Sequence, residues 1–207
     1  MQLISAADLI ARIADWHGEQ RCIVAIAGPP GSGKSTIAEQ LDADLNARSG
    51  GSAAILPMDG YHFDDMVLVP RGLRPRKGAP ETFDVAGFAH MIGRLRDNTE
   101  PEIAVPVFDR SIEIARAGGR LISRSVRIVI VEGNYLLLDQ PPWNSLKFDI
   151  TVMIDAERRV LRERLIKRWL DLGLRAAEAH EKVDGNDMIN VDLVRHSRRP
   201  ADFLLST

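Results

Sequence analysis

The sequence predicts an α/β fold in three layers, a mostly parallel β-sheet flanked by helices, with an arginine-rich lid and a small β flap. Three observations predict it. A glycine-rich segment at residues 28–36 (GPPGSGKST) lies between an apolar run, residues 21–27 (RCIVAIA), and a stretch of helical composition, residues 35–47. Further short apolar runs recur at residues 53–58 (AAILPM), 126–131 (VRIVIV) and 149–154 (DITVMI), each followed at once by an acidic residue: Asp59, Glu132 and Asp155. Between the second and third runs the βα alternation is interrupted, because residues 103–108 alternate around Pro106 and residues 112–122 carry Gly118-Gly119 between two apolar stretches, a ribbon or flap signature.

In chain order, residues 1–17 read as an amphipathic helix with Ser5 and Asp8 at capping-box spacing rather than as a secretion signal. Residues 49–52 (SGGS) form a turn before the second strand, and residues 71–84 (RGLRPRKGAPETFD) form a loop rich in proline and glycine. A helix over residues 85–97 leads to the flap. A long helix begins at residue 156 and ends near Gly173, with Arg158, Arg159, Arg162, Arg164, Lys167 and Arg168 along it, and residues 203–205 close the chain as a short strand. At 207 residues one domain spanning 1–207 is expected, with the lid within residues 156–185.

Composition narrows the partners. Hydrophobic residues make up 45% and charged residues 27%, and a formal net charge of -2 gives no electrostatic case for nucleic acid or a membrane surface. No stretch approaches the roughly 18 apolar residues of a membrane span. A cytoplasmic protein acting on a small molecule is expected, and a homodimer is compatible with this composition. The one cysteine, Cys22, can form no internal disulfide and lies in an apolar run, which makes it a core residue rather than a nucleophile.

Residues 28–36 satisfy G-x-x-x-x-G-K-[ST], the Walker A loop of P-loop NTPases. Glycines let the chain curl so that successive N–H groups of Gly28, Gly31, Ser32, Gly33, Lys34, Ser35 and Thr36 point at phosphate oxygens, next to the positive end of a helix dipole. Lys34, on a solvent-facing loop, would reach the β- and γ-phosphates of ATP, and the Ser35 hydroxyl would coordinate Mg²⁺. An ordinary glycine-rich βα turn is the alternative, and the complete motif between strand and helix argues against it. Asp59, just past a strand's carboxyl end, faces the crevice where ligands bind in open parallel sheets, with a turn aspartate before Gly60 as the alternative. Glu132 stands where nucleotide-binding proteins carry a second acidic residue, so Ser35 with Asp59 or Glu132 would organise Mg²⁺. The cations of the long helix are either lid groups for a transferring phosphoryl group or a solvated basic face.

The order GPPGSGKS, MDGYH, RKGAPETFD, VPVFD, VEGNYLL, an arginine-rich helix and PADFLL resembles the small-molecule kinases related to uridine kinase, pantothenate kinase and phosphoribulokinase, over residues 21–206. Within that group the chain is most similar to short bacterial fructose-transport-system kinases, or fructokinases. The resemblance implies phosphoryl transfer from ATP to an alcohol, with Asp59 as the base. It places Phe108 and Asp109 in the acceptor pocket, RKGAPETFD beside that pocket, and Arg164 and Lys167 as lid cations, Arg168 being a neighbour rather than a match. The chain departs from uridine and pantothenate kinases after VPVFD, where Arg110, Ser111, Ile112 and Glu113 stand in place of an acceptor-binding histidine. Asp59, His62, Asp109, Arg110 and Glu113 suit an acceptor with several hydroxyls, so a sugar such as fructose is expected. Arg110 and Glu113 could instead form a surface ion pair, and His62 could be a plain loop histidine. A nucleoside or pantothenate-like acceptor is the nearer rival; a regulatory ATPase linked to a transporter is the more distant one, and it would not need the acceptor-side constellation.

Overall fold

Six consecutive residues with no polar face, Cys22–Ala27, can be accommodated only in a strand covered on both sides, and all six are buried. In the computed structural model, which describes residues 1–18 and 20–206, the elements run β1 (Gln2–Leu3), α1 (Ala6–Ala14), β2 (Cys22–Ala27), α2 (Lys34–Arg48), β3 (Ala53–Pro57), one-turn α3 (Asp65–Leu68), α4 (Val85–Asp97), β4 (Glu102–Asp109), β5 (Ile114–Ser123), β6 (Ile128–Gly133), β7 (Ile150–Asp155), α5 (Arg158–Asp171), α6 (Ala176–Lys182), α7 (Met188–His196) and β8 (Phe203–Ser206). The main sheet has the order β1-β8-β7-β2-β6-β3, and every pairing within it is parallel. Side-chain alternation along β2 divides the core into two layers: Ile23, Ala25 and Ala27 pack on one face with Phe88, Tyr135 and Trp143, while Cys22, Val24 and Ile26 pack on the other with Leu9, Ile13 and Leu41. Cys22 is buried, and burial pushes its thiol up to about 12, as befits a core residue.

The amphipathic N-terminal helix begins later than expected. Gln2 and Leu3 pair with Phe203 and Leu204 of β8, and Ser5 then caps α1 by accepting from the Asp8 N–H. Arg21, read from the sequence as the start of a strand, is instead a buried clamp whose guanidinium donates to the carbonyls of Val126, Leu95 and Ser123 at 2.8–2.9 Å.

The flap is the antiparallel pair β4–β5, with a register shift around Pro106, which has no N–H to give the ladder. Its turn lies at residues 110–113, where Glu113 adopts φ 57°, so Gly118-Gly119 is not the turn but part of β5. A Cβ on Gly119 would lie 2.3 Å from Val107 Cγ2. The flap is also pinned to the turn after β3, since a Cβ on Gly60 would lie 2.5 Å from the Pro106 carbonyl oxygen. Beyond β7, α5 ends near Gly173 (φ 89°), and α6, a π turn (Val183–Asp187) and α7 fold back so that Leu161, Leu165, Val183, Met188 and Val191 form a third cluster. Among the described residues no helix is long and apolar enough to cross a membrane.

Candidate functional site

Strands β2, β3 and β6 end side by side, with Pro57 opposite Glu132 and Ala27 opposite Gly133, so the residues that follow them share one edge of the sheet. After β2 the loop turns through Gly31 (φ 80°) and Gly33 (φ 87°), a left-handed conformation that an L side chain resists, and α2 starts at Lys34. Gly28 and Ser32 shape this loop from within. A Cβ on Gly28 would lie 2.4 Å from the Ile154 carbonyl oxygen, and Ser32 is fully buried. Gly31, Gly33, Lys34, Ser35 and Thr36 line a cleft of about 510 Å³. Lys34 is buried rather than solvent-facing: its Nζ donates to the Pro29 carbonyl at 3.2 Å, and burial lowers its pKa against the opposing pull of Glu132 and Asp59.

Two carboxylates face this lysine. Glu132 is buried and pushed up to about 7, first by burial and then by the neighbouring Asp59, with Lys34, Arg110 and a hydrogen bond from Ser35 opposing. Burial also acts to raise Asp59, but His62, Arg110, Lys34 and Arg168 outweigh it, so Asp59 titrates below the ordinary carboxylate value. The two acids are thereby driven apart: Asp59 is ionised at neutral pH, and Glu132 titrates close to it. Arg110 Nη2 lies 2.6 Å from Asp59 Oδ2. His62 Nδ1 donates to the Asp59 carbonyl at 2.8 Å, and its ring lies between Phe83 and Phe108, with centroids 4.0 and 4.7 Å away. Burial holds His62 below its usual pKa, against the opposing pull of Asp59.

A second, smaller cavity of about 80 Å³ adjoins the cleft, and Pro30, Asp59, Arg110, Asn134 and Arg168 line both. His62, Lys77, Phe108, Glu113, Trp169, Asp187 and Asn190 line the smaller one alone. Lys77 is held there by Asp65 Oδ1 (2.8 Å) and the Glu113 carbonyl (2.7 Å).

Two sequence expectations are corrected, and the alternative of an Arg110–Glu113 ion pair is not realised. Asp109 lies outside both cavities: strand alternation turns it away from Phe108 and Arg110, and its carboxylate accepts from Ser111 and Arg116 instead. Arg110 and Glu113 form no ion pair with each other, because Arg110 reaches Asp59 and the Glu113 backbone is held by Lys77. On the basic helix the residue that enters the cleft is Arg168, not Lys167. Leu161 and Leu165 face the core, and Arg168, three and seven positions on, shares their face. Lys167 points outward and pairs with Asp171 at 2.7 Å, while Arg164 Nη1 reaches the Gly31 carbonyl of the phosphate loop at 3.3 Å. Arg158, Arg159 and Arg162 are surface ion pairs with Asp192, Glu163 and Asp184, so much of this helix is the solvated face that charge runs commonly make.

The stretch RKGAPETFD, expected beside the pocket, does supply Lys77, while Asn134, Trp169, Asp187 and Asn190 were not singled out as site residues. One signal was available for the last: Asn186 and Asn190 interrupt the apolar stripe of Val183, Val191 and Val194 on a helical segment, and both amides are buried.

Among the described residues no three His, Cys, Asp or Glu side chains cluster as a closed metal cage. The donors present are oxygens, the Ser35 hydroxyl and the carboxylates of Glu132 and Asp59 beside the phosphate loop. They suit Mg²⁺, which binds through one or two carboxylates and draws its other ligands from phosphates and water.

No protein-family profile matches the chain. A candidate uridine kinase of Schizosaccharomyces pombe is 37% identical over 196 residues, covering 90% of this chain and 83% of the relative. The uncharacterized protein YggC of Escherichia coli K12 is 35% identical over 209 residues, covering 95% and 82%. A solved structure of a candidate fructose transport system kinase from Silicibacter sp. TM1040 is 40% identical, with a TM-score of 0.90 over 97% of this chain and 98% of that one. Saccharomyces cerevisiae YFH7, a candidate P-loop kinase, shares the fold alone, with 22% identity and a TM-score of 0.84 over 99% of each chain. The nucleotide loop, the opposed acids and these relatives agree: the chain belongs to the uridine-kinase-like family of ATP-dependent P-loop kinases.

Proposed function

We propose that the protein transfers the γ-phosphoryl group of ATP to a hydroxyl of a small sugar, with fructose the first acceptor to test. The observation that carries this reading is the position of Asp59, on the boundary between the large cleft and the smaller cavity. A hydroxyl seated in the smaller cavity would meet Asp59 on one side and a phosphoryl group held by the loop on the other. The loop amides and Lys34 hold the β- and γ-phosphates. Asp59 accepts the hydroxyl proton, and a carboxylate below its ordinary pKa is adequate for that because a loose transition state deprotonates the nucleophile late. Arg110 holds Asp59 Oδ2, which leaves Oδ1 to take the proton, and the Arg110 guanidinium, with Arg168, neutralises charge on the transferring oxygens. Ser35 with Glu132 or Asp59 would hold Mg²⁺, which when bound neutralises β- and γ-phosphate charge.

Support for a sugar comes from the smaller cavity. It is compact beside the nucleotide cleft, Phe108 and Trp169 provide flat apolar walls, and His62, Lys77, Glu113 and Asn190 offer hydrogen-bonding groups. A nucleoside acceptor is the second reading, favoured by the aromatic pair His62 and Phe108, whose rings could pack against a base. ADP release measured across hexoses, pentoses, polyols, nucleosides and pantothenate separates the readings. Turnover on a sugar supports the first, and turnover on nucleosides alone selects the second. Hydrolysis indifferent to every acceptor would replace both with a regulatory ATPase.

A further inference from the structure

The wall of the smaller cavity contributed by the C-terminal helical segment holds a polar atom that the fold itself does not use. The chain leaves α6 through the π turn Val183–Asp187, a wide turn of the kind that re-aims side chains at functional sites, and so brings Asn186, Asp187 and Asn190 together. Asn186 has its amide oriented by unambiguous partners. Its Oδ1 accepts from Arg76 Nη1 at 2.7 Å, which can only donate, and its Nδ2 donates to the Lys77 carbonyl at 3.1 Å, which can only accept. Asp187 accepts from Trp169 Nε1 at 2.6 Å. Asn190, 2% exposed, must turn its Nδ2 toward the Asn186 oxygen, 3.5 Å away, because the flipped amide would set two acceptors against each other. Asn190 lines the smaller cavity, and its Oδ1 is buried with no hydrogen-bond partner.

A buried carbonyl oxygen without a donor costs stability, and its neighbours Val191 and Val194 are apolar, so a residue chosen for packing alone would not be an amide. We propose that Asn190 is a specificity-determining residue: its Oδ1 accepts a hydrogen bond from a second hydroxyl of the bound acceptor, one that is not phosphorylated. The inference rests on the phosphotransfer reading above. It also makes a chemical exclusion, because an acceptor offering only a carboxylate or phosphate at this point would bring acceptor against acceptor.

The test compares Asn190→Leu, which fills the site without polar atoms, and Asn190→Ala with the parent protein. Melting temperature without ligand is measured alongside KM for ATP, KM for the acceptor, and acceptor-free ATP hydrolysis. D-fructose is the probe, or uridine if the parent turns over uridine and no sugar. The expected result is a melting temperature no lower than the parent's for at least one variant and an acceptor KM raised about tenfold or more, several times the change in the KM for ATP. Melting temperatures that fall by several degrees in both variants make Asn190 a structural residue and overturn the proposal. Retained stability with an unchanged acceptor KM overturns it as well, while leaving the kinase reading intact. A parent that turns over neither sugar nor nucleoside removes the phosphotransfer reading and this inference with it.

Discussion

The two sides of the cleft are encoded in different ways. The nucleotide side is a single continuous stretch, residues 28–36, whose shape is set by its own glycines and by the helix it starts. The smaller cavity, the proposed acceptor side, is lined by Asp59 after β3, Lys77 in a loop, Phe108 and Arg110 on the flap, Asn134 after β6, Arg168 and Trp169 on α5, and Asn190 on α7. Local backbone chemistry fixes the first; the second exists only once the flap is docked on Gly60 and the C-terminal helices have folded over Leu161 and Leu165. Substrate choice can therefore change by altering any one of several distant segments, while the phosphate loop stays as it is.

Asp59 belongs to both sides, and it gives the largest expected effect. Asp59→Asn keeps the shape but cannot take a proton, so acceptor-dependent transfer should fall by roughly two to four orders of magnitude with nucleotide affinity retained. Nucleotide titration alongside single-turnover rates checks this. A parallel loss of affinity and rate would move Asp59 wholly to the nucleotide side as a metal ligand, and a parental rate would remove it from the mechanism.

Lys34→Ala acts on the nucleotide side alone. Turnover should drop by about two orders of magnitude or more, because the lost charge acts mainly on the transferring group. Since Lys34 is buried against Glu132, its removal should also raise the Glu132 pKa further by taking away an opposing charge. Near-parental turnover with ATP would show that the loop does not bind phosphates in the expected way.

A pH experiment without nucleotide probes the same side. Glu132 rises from an ordinary 4.5 to about 7 in the folded chain, so the folded state binds more protons than the unfolded state between those values. The Glu132 contribution to stability is thus fully present below pH 4.5 and is lost as pH rises through 7. Glu132→Gln, which can still accept from Ser35, should flatten that decline and exceed the parent at pH 8 by roughly 3 kcal/mol. Urea unfolding at pH 5 and pH 8 reads the difference, and parallel curves for the two proteins would mean that Glu132 ionises in place at no cost.

What the sequence made legible follows the same division. The parallel strands, the loop and the edge bearing Asp59 and Glu132 were readable because continuous apolar runs and glycine conformation are local properties. The order β1-β8-β7-β2-β6-β3 was not read, since a two-residue strand such as Gln2–Leu3 has too little pattern to separate from the helix after it. Arg21 looked like a strand's first residue because its three carbonyl partners lie 74 to 105 positions away. Asp109 was assigned to the pocket from its motif, although strand alternation next to Phe108 and Arg110 already pointed it elsewhere. Asn190 was readable only as a break in an apolar stripe, and nothing local tied that break to Asp59.

The smallest expected effect tests whether helical phase or motif matching better identifies the acceptor-side cation. Arg168 shares the buried face of Leu161 and Leu165 and lines both cavities, and burial lowers its pKa, meaning that its charge is held in a poorly solvated place where it acts strongly on neighbours. Lys167 stands one position away, exposed, in an i,i+4 pair with Asp171 of the kind that contributes little. Arg168→Ala should therefore lower turnover by about tenfold, or ~1.4 kcal/mol of barrier, more than it weakens nucleotide binding, since Lys34 and Arg110 remain to hold the phosphates. Lys167→Ala should stay within about twofold of the parent. Steady-state kinetics on the two variants decides the matter: the reverse ranking would mean that the helix rotates when ligands bind, so that its outward face in this structure is its working face.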